Sequence, residues 1–403
     1  MFILFESFLI FLFNVLIYKS IMDSLFLSFF IILTLYSMRV YDEVNWDIQK
    51  QFSRTFASSL LILFVILLLK PIFNWNIEWQ QVFSNIVFSF FILLPIRNII
   101  FKIKRNKPRK YFFVGNEGEL NGILENLKEK YPRFEILFLN PKESNEIQKV
   151  ATSSKRKNLL VISEKYLTSL NGYLGKDNFL PEFIEKELKK VPLKMIELYP
   201  SYYIRYFERV QESFLERIVD ITVSIVALIV FSPIMLIIAV SIYLEDGRPI
   251  IFKQKRVGKN GKLFTMYKFR SMKQVERDKP LFADQEQDRI TKVGRIIRKL
   301  RFDELPQFYN VLKGDMSVVG PRPEAVDFHQ EMISKIPFYE NRLKAKPGIS
   351  GWAQINYKHT TNLEEYKNKT EYDLWYVKNK SVLVDLKIIT QTLETMLFKR
   401  GAK

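Results

Sequence analysis

The sequence predicts a protein in three parts: a multi-pass α-helical membrane domain, a small α/β domain of degenerate Rossmann-like type, and a mainly helical domain with a re-entrant membrane helix. Four apolar runs fill the first hundred residues, and strand-like and helix-like runs alternate over the next hundred. A long apolar segment with a central proline then opens the remainder. We expect domain bounds of 1–102, 103–200 and 201–403.

The amino-acid composition excludes several kinds of functional site. The 403 residues include no cysteine and two histidines, His329 and His359. Disulfides, thiolate metal sites, cysteine nucleophiles and iron–sulfur clusters are therefore excluded. A histidine-rich metal site is disfavoured, so we expect oxygen ligands to hold any divalent metal.

The positive charge is unevenly distributed. The formal net charge is +18, but residues 1–96 carry five basic and six acidic side chains, so the excess lies in 97–403. Such a charge is compatible with a nucleic-acid binder, although no nucleic-acid motif is present. Binding to phosphates and to a membrane surface are the other interpretations, and we expect no nucleic-acid partner.

Each apolar run in the first part is close to the roughly 20 residues that a helix needs to cross a bilayer. The alternative is four core helices of a soluble bundle, but the runs lack a polar face. The sequence therefore predicts four transmembrane helices, at about 2–18, 21–38, 56–73 and 82–101.

Orientation follows from the basic cluster at 97–110, which contains no acidic residue. The positive-inside rule places this cluster, and with an even number of spans also the N-terminus, in the cytoplasm. The link at 71–81 then faces outward and the loop at 39–55 faces inward.

Residues 111–200 predict a small α/β domain. The strand-like runs are 111–115, 135–139 and 158–163, with a helix at 118–130 after the first strand. The stretch 141–157 is the most loop-like part. The glycine turn after the first strand does not match G-x-G-x-x-G, so we expect a degenerate module without a dinucleotide.

The third part begins with an amphipathic helix at 203–218 that runs into an apolar segment at 218–244. A fifth crossing would place the strongly basic region outside the cell, against the positive-inside rule. Pro233 removes a backbone donor, and Ser232 can bond a freed carbonyl. The sequence therefore predicts a re-entrant hairpin at about 214–244, broken at Ser232-Pro233.

Asp303 and Glu304 are the candidate reactive groups. They follow a basic amphipathic segment and open a predicted helix at 304–312 that Gly314 ends, which places Asp303 near the N-cap. One carboxylate could face a phosphorus atom while the other holds a hard metal ion. The other interpretation is a plain helix cap paired with arginines.

The cations around these carboxylates suit phosphate oxygens. Two prolines fix the backbone around one arginine, so its guanidinium is pre-positioned. The candidate phosphate-binding residues are Lys268, Arg270, Arg298, Pro321, Arg322 and Pro323.

Four motifs resemble the bacterial sugar transferase family of polyprenyl-phosphate hexose-1-phosphate transferases: SPI (232–234), MYKFRSM (266–272), RFDELPQFYNVLKGDMSVVGPRP (301–323) and KPGISGWAQIN (346–356). The resemblance covers roughly 210–400, and the layout is similar to the long members that initiate exopolysaccharide, capsule or O-antigen synthesis. It implies that Asp303 forms a phospho-sugar intermediate and that Glu304 assists with Mg²⁺. It also implies that Arg298 and Pro321-Arg322-Pro323 bind the nucleotide sugar.

The resemblance further implies a UDP-sugar donor, a polyprenyl (undecaprenyl) phosphate acceptor and a catalytic domain on the cytoplasmic face of the bacterial inner membrane. The alternative class is a non-catalytic membrane scaffold that binds anionic lipid through its basic face. The transferred sugar, a homodimer and the role of 273–287, as a lid or a plain loop, stay open.

Overall fold

The structure, a computed structural model, describes residues 2–398 in separate stretches. The residues left out within that range are 18–19, 39, 42–47, 74, 76, 107–108, 121, 131–133, 143, 154–157, 167–178, 274–288 and 358–361. The predicted lid or loop at 273–287 and His359 therefore lie almost entirely outside the described residues. The chain divides into two compact units, residues 1–111 with 125–136 and residues 112–124 with 137–403.

All four predicted apolar runs are helical in the first unit. The helices are α1 (Phe2–Ile17), α2 (Ile21–Ser37), α3 (Ile48–Phe73), α4 (Trp79–Phe88) and α5 (Leu94–Asn106). One π-helical turn, Ser89–Leu93, joins α4 to α5, so these two form the continuous fourth helix. Among the described residues, two helical stretches are long and apolar enough to cross a membrane, Trp79–Ile103 and Phe214–Asp246, and α1 to α3 supply shorter apolar helices.

Polar side chains lie inside the helices of the first unit. Arg97 and Glu6 form a fully buried ion pair with 2.9 Å between Nε and Oε1. Asn85 donates to Asn14, which donates to Ser28, both over less than 2.9 Å. Large apolar side chains such as those of Leu4, Leu16 and Phe91 instead face outward. Apolar side chains such as Ile10 and Leu27 are buried as well, so it is the apolar outer surface that distinguishes this unit from a water-soluble helical bundle.

The next elements form a small three-stranded sheet. Strands β1 (Arg109–Val114), β2 (Phe134–Leu139) and β3 (Leu159–Val161) occur in the order β2-β1-β3, with β1 and β3 parallel. The helix α6 (Ile123–Lys130) follows β1. All three predicted strands are therefore confirmed.

The predicted loop at 141–157 was wrong, because α7 (Ser144–Thr152) occupies most of it. Ile147 and Ala151 lie one turn apart and are buried against the sheet core, with Val150 beside them. Three short helices follow: α8 (Leu180–Leu188), α9 (Leu193–Leu198) and α10 (Pro200–Glu208).

The predicted amphipathic helix at 203–218 is divided in the structure. Helix α10 ends at Glu208, and α11 (Phe214–Asp246) begins after an interval of five residues. Ser213 and Glu216 form a capping box. The Glu216 carboxylate accepts from the backbone N–H of Ser213, and the Ser213 hydroxyl accepts from backbone N–H groups of the first turn. This start signal is stronger than the apolar periodicity that crosses it.

Helix α11 is continuous through Ser232-Pro233, so the predicted break into two helices is absent. Pro233 leaves the Ile229 carbonyl without its helical donor, and the Ser232 hydroxyl donates to that oxygen at 2.8 Å. The expected bond from Ser232 to a freed carbonyl is thereby confirmed, and it explains why the helix does not end.

Both ends of α11 contact the same part of the second unit. Near its start, Arg217 donates to the carbonyls of Val311 and Leu312, and Asp220 accepts from Ser317 and Val318. Near its end, Ile238 and Ile242 pack in a core cluster with residues 269, 297 and 305. Between these contacts, most side chains at 225–237 are exposed and apolar.

The remaining elements build the part that holds the candidate site. Strands β4 (Ile251–Val257) and β5 (Leu263–Phe269) form an antiparallel hairpin, and β6 (Ser317–Val319) pairs in parallel with β7 (Gly348–Ser350). The helices are α12 (Lys292–Lys299), α13 (Gln307–Lys313), α14 (Val326–Lys335), α15 (Trp352–Asn356), α16 (Leu363–Asn379) and α17 (Val382–Phe398).

Candidate active site

Asp303 and Glu304 lie in a single 3₁₀ turn, Phe302–Glu304, between α12 and α13. Arg301 precedes this turn in the left-handed region with φ 56°, which reverses the chain after α12. Leu305 is buried in the core cluster with Ile238 and fixes the far end of the turn. The helix predicted at 304–312 begins later, at Gln307 with Pro306 as its N-cap residue, so the placement of Asp303 near the N-cap was wrong.

Glu304 is buried and engaged by three cations. Its Oε1 lies 2.9 Å from Arg322 Nη2 and 3.5 Å from Lys268 Nζ, and its Oε2 lies 3.3 Å from Arg301 Nη2. Burial raises the pKa of the Glu304 carboxyl, but the nearby cations outweigh burial and hold it well below its ordinary value. Glu304 is therefore ionised, and it neutralises part of the local positive charge.

Asp303 has a different environment. It is half-buried, and the described residues place no hydrogen bond or ion pair on its carboxylate. Burial and the adjacent Glu304 raise the pKa of Asp303, while Lys268, Arg322 and Arg298 act in the opposite direction. The result is a carboxylate of raised basicity, close to cations but without a partner in the described part of the chain.

The loop with Pro321, Arg322 and Pro323 is fixed through its carbonyl groups. The carbonyls of residues 321 to 324 accept, in order, from Gly348 N, Arg342 Nη2, Arg256 Nη1 and Val257 N. Two prolines remove the competing backbone donors. The loop is thereby held in one conformation, and Arg322 points its guanidinium at Glu304.

The structure brings together most, but not all, of the predicted cations. Lys268 and Arg322 contact Glu304 directly, and Arg298 is close enough to Asp303 to lower its pKa. The buried Nη1 of Arg298 has no hydrogen-bond partner among the described residues. It is therefore free to bind an anion.

Arg270 makes different contacts from this group, and its assignment as a phosphate ligand stays a prediction. Its Nη2 donates to the carbonyls of Asp246 and Gly247 at 2.6 and 2.8 Å and pairs with the Asp246 carboxylate. These are the C-terminal groups of α11, where a cation is favoured. Arg270 thus fastens the end of the long helix to the strand that carries Lys268.

Sequence reasoning missed three residues of the site, Arg256, Arg301 and Gln307. A small recess beside Glu304 is lined by Arg256, Met266, Lys268, Gln307, Arg322 and Pro323. Gln307 stands four residues after Asp303, and Arg256 opposes Phe264 in the hairpin register. The i, i+4 spacing from Asp303 was the available signal for Gln307.

Asp303 and Glu304, together called the dyad, could hold Mg²⁺ only with the help of further ligands such as substrate phosphates. No group of three or more histidine, aspartate or glutamate side chains in the described stretches could hold a metal ion. However, proteins often bind Mg²⁺ through one or two carboxylates together with substrate phosphates. Asp303 offers unpaired oxygens, and Oε2 of Glu304 has only the part-exposed Arg301 at 3.3 Å.

Comparison with known proteins finds matches to the part of the chain that contains these residues. The family model described as bacterial sugar transferase matches residues 211–399. A UDP-N-acetylgalactosamine-undecaprenyl-phosphate N-acetylgalactosaminephosphotransferase of Aeromonas hydrophila is 46% identical over 47% of this chain and 45% of its own length. A UDP-glucose:undecaprenyl-phosphate glucose-1-phosphate transferase of Klebsiella pneumoniae is 47% identical over 44% of this chain and 39% of its length.

The match to these two relatives thus spans less than half of their length. An uncharacterized sugar transferase, EpsL, of Bacillus subtilis is 44% identical over 46% of this chain, and there the match covers 89% of the relative. Residues 211–399 contain the dyad, the Pro-Arg-Pro loop and the recess. The chain belongs to the bacterial sugar transferase family.

Proposed function

We propose that the protein transfers a hexose-1-phosphate from a UDP-sugar to polyprenyl (undecaprenyl) phosphate and releases UMP. One observation carries this proposal: Asp303 is an unpaired carboxylate among cations, whereas its neighbour Glu304 is held by three of them. The named relatives support the donor and acceptor classes. The proposed product is a polyprenyl-diphosphate sugar, the first intermediate of a surface polysaccharide.

In the proposed mechanism, an oxygen of Asp303 attacks the sugar-bearing phosphorus and displaces UMP. The phosphate of the lipid then attacks the phospho-Asp and restores the free carboxylate. Arg298, Lys268 and Arg322 stabilise the phosphoryl oxygens, on which charge is spread in such transfers. Glu304 holds Lys268 and Arg322 at fixed positions before the donor binds.

We further propose that Glu304, with Asp303, contributes to Mg²⁺ binding. When bound, this ion would neutralise charge on the diphosphate of the donor. The arginines and Lys268 also neutralise phosphate charge, so the chain's own cations orient the phosphates of the donor whether or not the ion is bound.

We infer that the enzyme is a multi-pass protein of the bacterial inner membrane with its active site on the cytoplasmic face. The inward polar side chains and outward apolar side chains of the first unit support spanning helices. The re-entrant path of α11 is supported by the contacts of both its ends with neighbouring elements, α13 and β6 at its start and β5, α12 and Leu305 at its end, and by its exposed apolar middle. The homodimer stays a prediction.

Asp303→Asn tests the nucleophile. We expect UMP release to fall by at least about 10³-fold, because an amide is a poor nucleophile and the remaining cations only bind the donor. The measurement is UMP release by membranes given polyprenyl phosphate and a panel of UDP-sugars that includes UDP-glucose and UDP-N-acetylgalactosamine.

Asp327→Asn on α14 is the matched control, because it removes a carboxylate outside the dyad. Near-normal UMP release by the Asp303 variant would overturn the nucleophile assignment. No Mg²⁺-dependent UMP release by the wild-type protein from any UDP-sugar would instead favour the lipid-binding scaffold. The same panel identifies the sugar.

A further inference from the structure

Gln307 is a buried side chain with an unused donor. It is 2% exposed, and its Nε2 has no hydrogen-bond partner among the described residues. Burying an amide donor without an acceptor costs roughly 1–3 kcal/mol, so such a group needs an explanation. Gln307 lies on the buried face of α13 with Asn310 and Val311, so its side chain is buried by packing while its donor has no partner in the described part of the chain.

The surroundings of Gln307 are rich in donors and poor in acceptors. Arg256, Lys268 and Arg322 line the same recess, and its other walls are Met266 and Pro323. The Glu304 carboxylate is already engaged by the cations of this group. A ligand atom in the recess must therefore accept hydrogen bonds and carry negative charge.

The recess is also small and close to the reacting carboxylate. Its free volume is about 10 Å³, which is the room that one water molecule needs. Two of its lining cations, Lys268 and Arg322, contact Glu304 and lie close enough to Asp303 to lower its pKa, so the recess lies beside both carboxylates. The enclosed part of the recess therefore has room for one oxygen atom of a ligand that extends out of it.

We propose that this recess, the Gln307 recess, is an oxyanion pocket for one non-bridging oxygen of the phosphoryl group that Asp303 attacks. This assignment rests on the proposed function. As the bond from Asp303 to phosphorus forms, the bond from phosphorus to the UMP oxygen breaks, and its electron pair leaves with UMP. The recess donates to the phosphoryl oxygen throughout, and Gln307 is the neutral donor that binds it.

The test uses a UDP-hexose in which sulfur replaces one of the two non-bridging oxygens of the sugar-bearing phosphorus. The two diastereomers place sulfur either in the recess or away from it. Sulfur is larger and a weaker acceptor, so we expect wild-type protein to use one diastereomer much more slowly. The hexose is the one that wild-type protein turns over as its normal UDP-sugar.

Gln307→Met keeps the volume and removes the donor, and Gln307→Ala also enlarges the recess. We expect kcat/KM for the oxygen substrate to fall by about 10²-fold in Gln307→Met, as for loss of one oxyanion donor. The preference between diastereomers should fall by about tenfold in both variants. This ratio is measured within each preparation, so partial misfolding lowers both rates and leaves the ratio unchanged.

Gln354→Met is the control, because it changes a glutamine outside the recess, and we expect it to keep the wild-type ratio. Normal turnover with a wild-type ratio in both Gln307 variants would overturn the recess assignment and leave the proposed function intact. No UMP release by wild-type protein from the oxygen substrate would overturn the proposed function, and this assignment with it.

Discussion

At the scale of single residues, the neighbouring carboxylates of Asp303 and Glu304 differ in their partners. Glu304 is ionised and held by cations, whereas Asp303 has a raised pKa and no partner among the described residues. The sequence predicted that the pair divides its tasks, because adjacent residues on a helical turn point about 100° apart. It could not predict which cations reach Glu304, since that depends on the hairpin and the Pro-Arg-Pro loop meeting.

The pKa values of Asp303 and Lys268 predict a bell-shaped pH profile for UMP release. Asp303 must be ionised to attack, so activity falls as the pH drops through its raised pKa. Burial lowers the pKa of Lys268 to about 8, so its charge is lost as the pH rises above that value. Lys268→Arg keeps a charge at high pH and should move the alkaline limb upward.

The measurement is kcat/KM for the donor between pH 5 and 10 for wild type and Lys268→Arg. Lys299→Arg on the exposed face of α12 is the control, and its profile should match the wild type. An alkaline limb that stays in place in Lys268→Arg would show that another group titrates there.

At the scale of elements, a buried ion pair supports the active-site loop. Arg342 and Asp373 are each 2% exposed, and Arg342 Nη2 lies 2.8 Å both from Asp373 Oδ2 and from the Arg322 carbonyl oxygen. The pair therefore joins α16 to the loop that aims Arg322. Its burial also means that removing one partner leaves a charge without compensation.

Arg342→Met should lower the free energy of unfolding by about 3–5 kcal/mol, because Asp373 is left charged and buried. The change is measured as a loss of thermal stability in lipid nanodiscs. Lys335→Met breaks an exposed pair with Glu331 and should cost less than about 0.5 kcal/mol. Equal losses in the two variants would contradict a structural role for the Arg342 pair.

Two elements show why some boundaries were predicted wrongly. Apolar residues at helical spacing cross 209–213 without interruption, but the capping box at Ser213 starts a new helix there. The helix α7 was missed because its polar composition is typical of a loop, although Ile147, Val150 and Ala151 mark one buried face. In both cases a local signal was present, but apolar periodicity outweighed it in the first case and average composition outweighed it in the second.

At the scale of the whole molecule, the four apolar runs and the three strands were predictable because their periodicity is strong. The contacts at the two ends of α11 were not predictable, since they join residues that are far apart in the sequence. Because both ends of α11 are packed and its middle is exposed and apolar, we predict that α11 enters and leaves the membrane on the same side.

The absence of cysteine allows single cysteines to be introduced without further changes. We expect Lys102→Cys and Lys253→Cys to react with a membrane-impermeant maleimide only after the cells are opened, because the proposed topology places both on the cytoplasmic side. Gln80→Cys should react in intact cells. Labelling of Lys253→Cys from outside would show that α11 crosses the membrane, and UMP release by each variant verifies its folding.

The buried pair of Glu6 and Arg97 has a consequence for the biosynthesis of the protein. At about 5–20 residues per second, Arg97 is synthesised roughly 5–20 s after Glu6. During that interval the first helix has an acidic group whose cation does not yet exist. In the proposed topology, the pair therefore cannot assist the insertion of the first helix into the membrane. It forms only when the helix that carries Arg97 packs against the first helix.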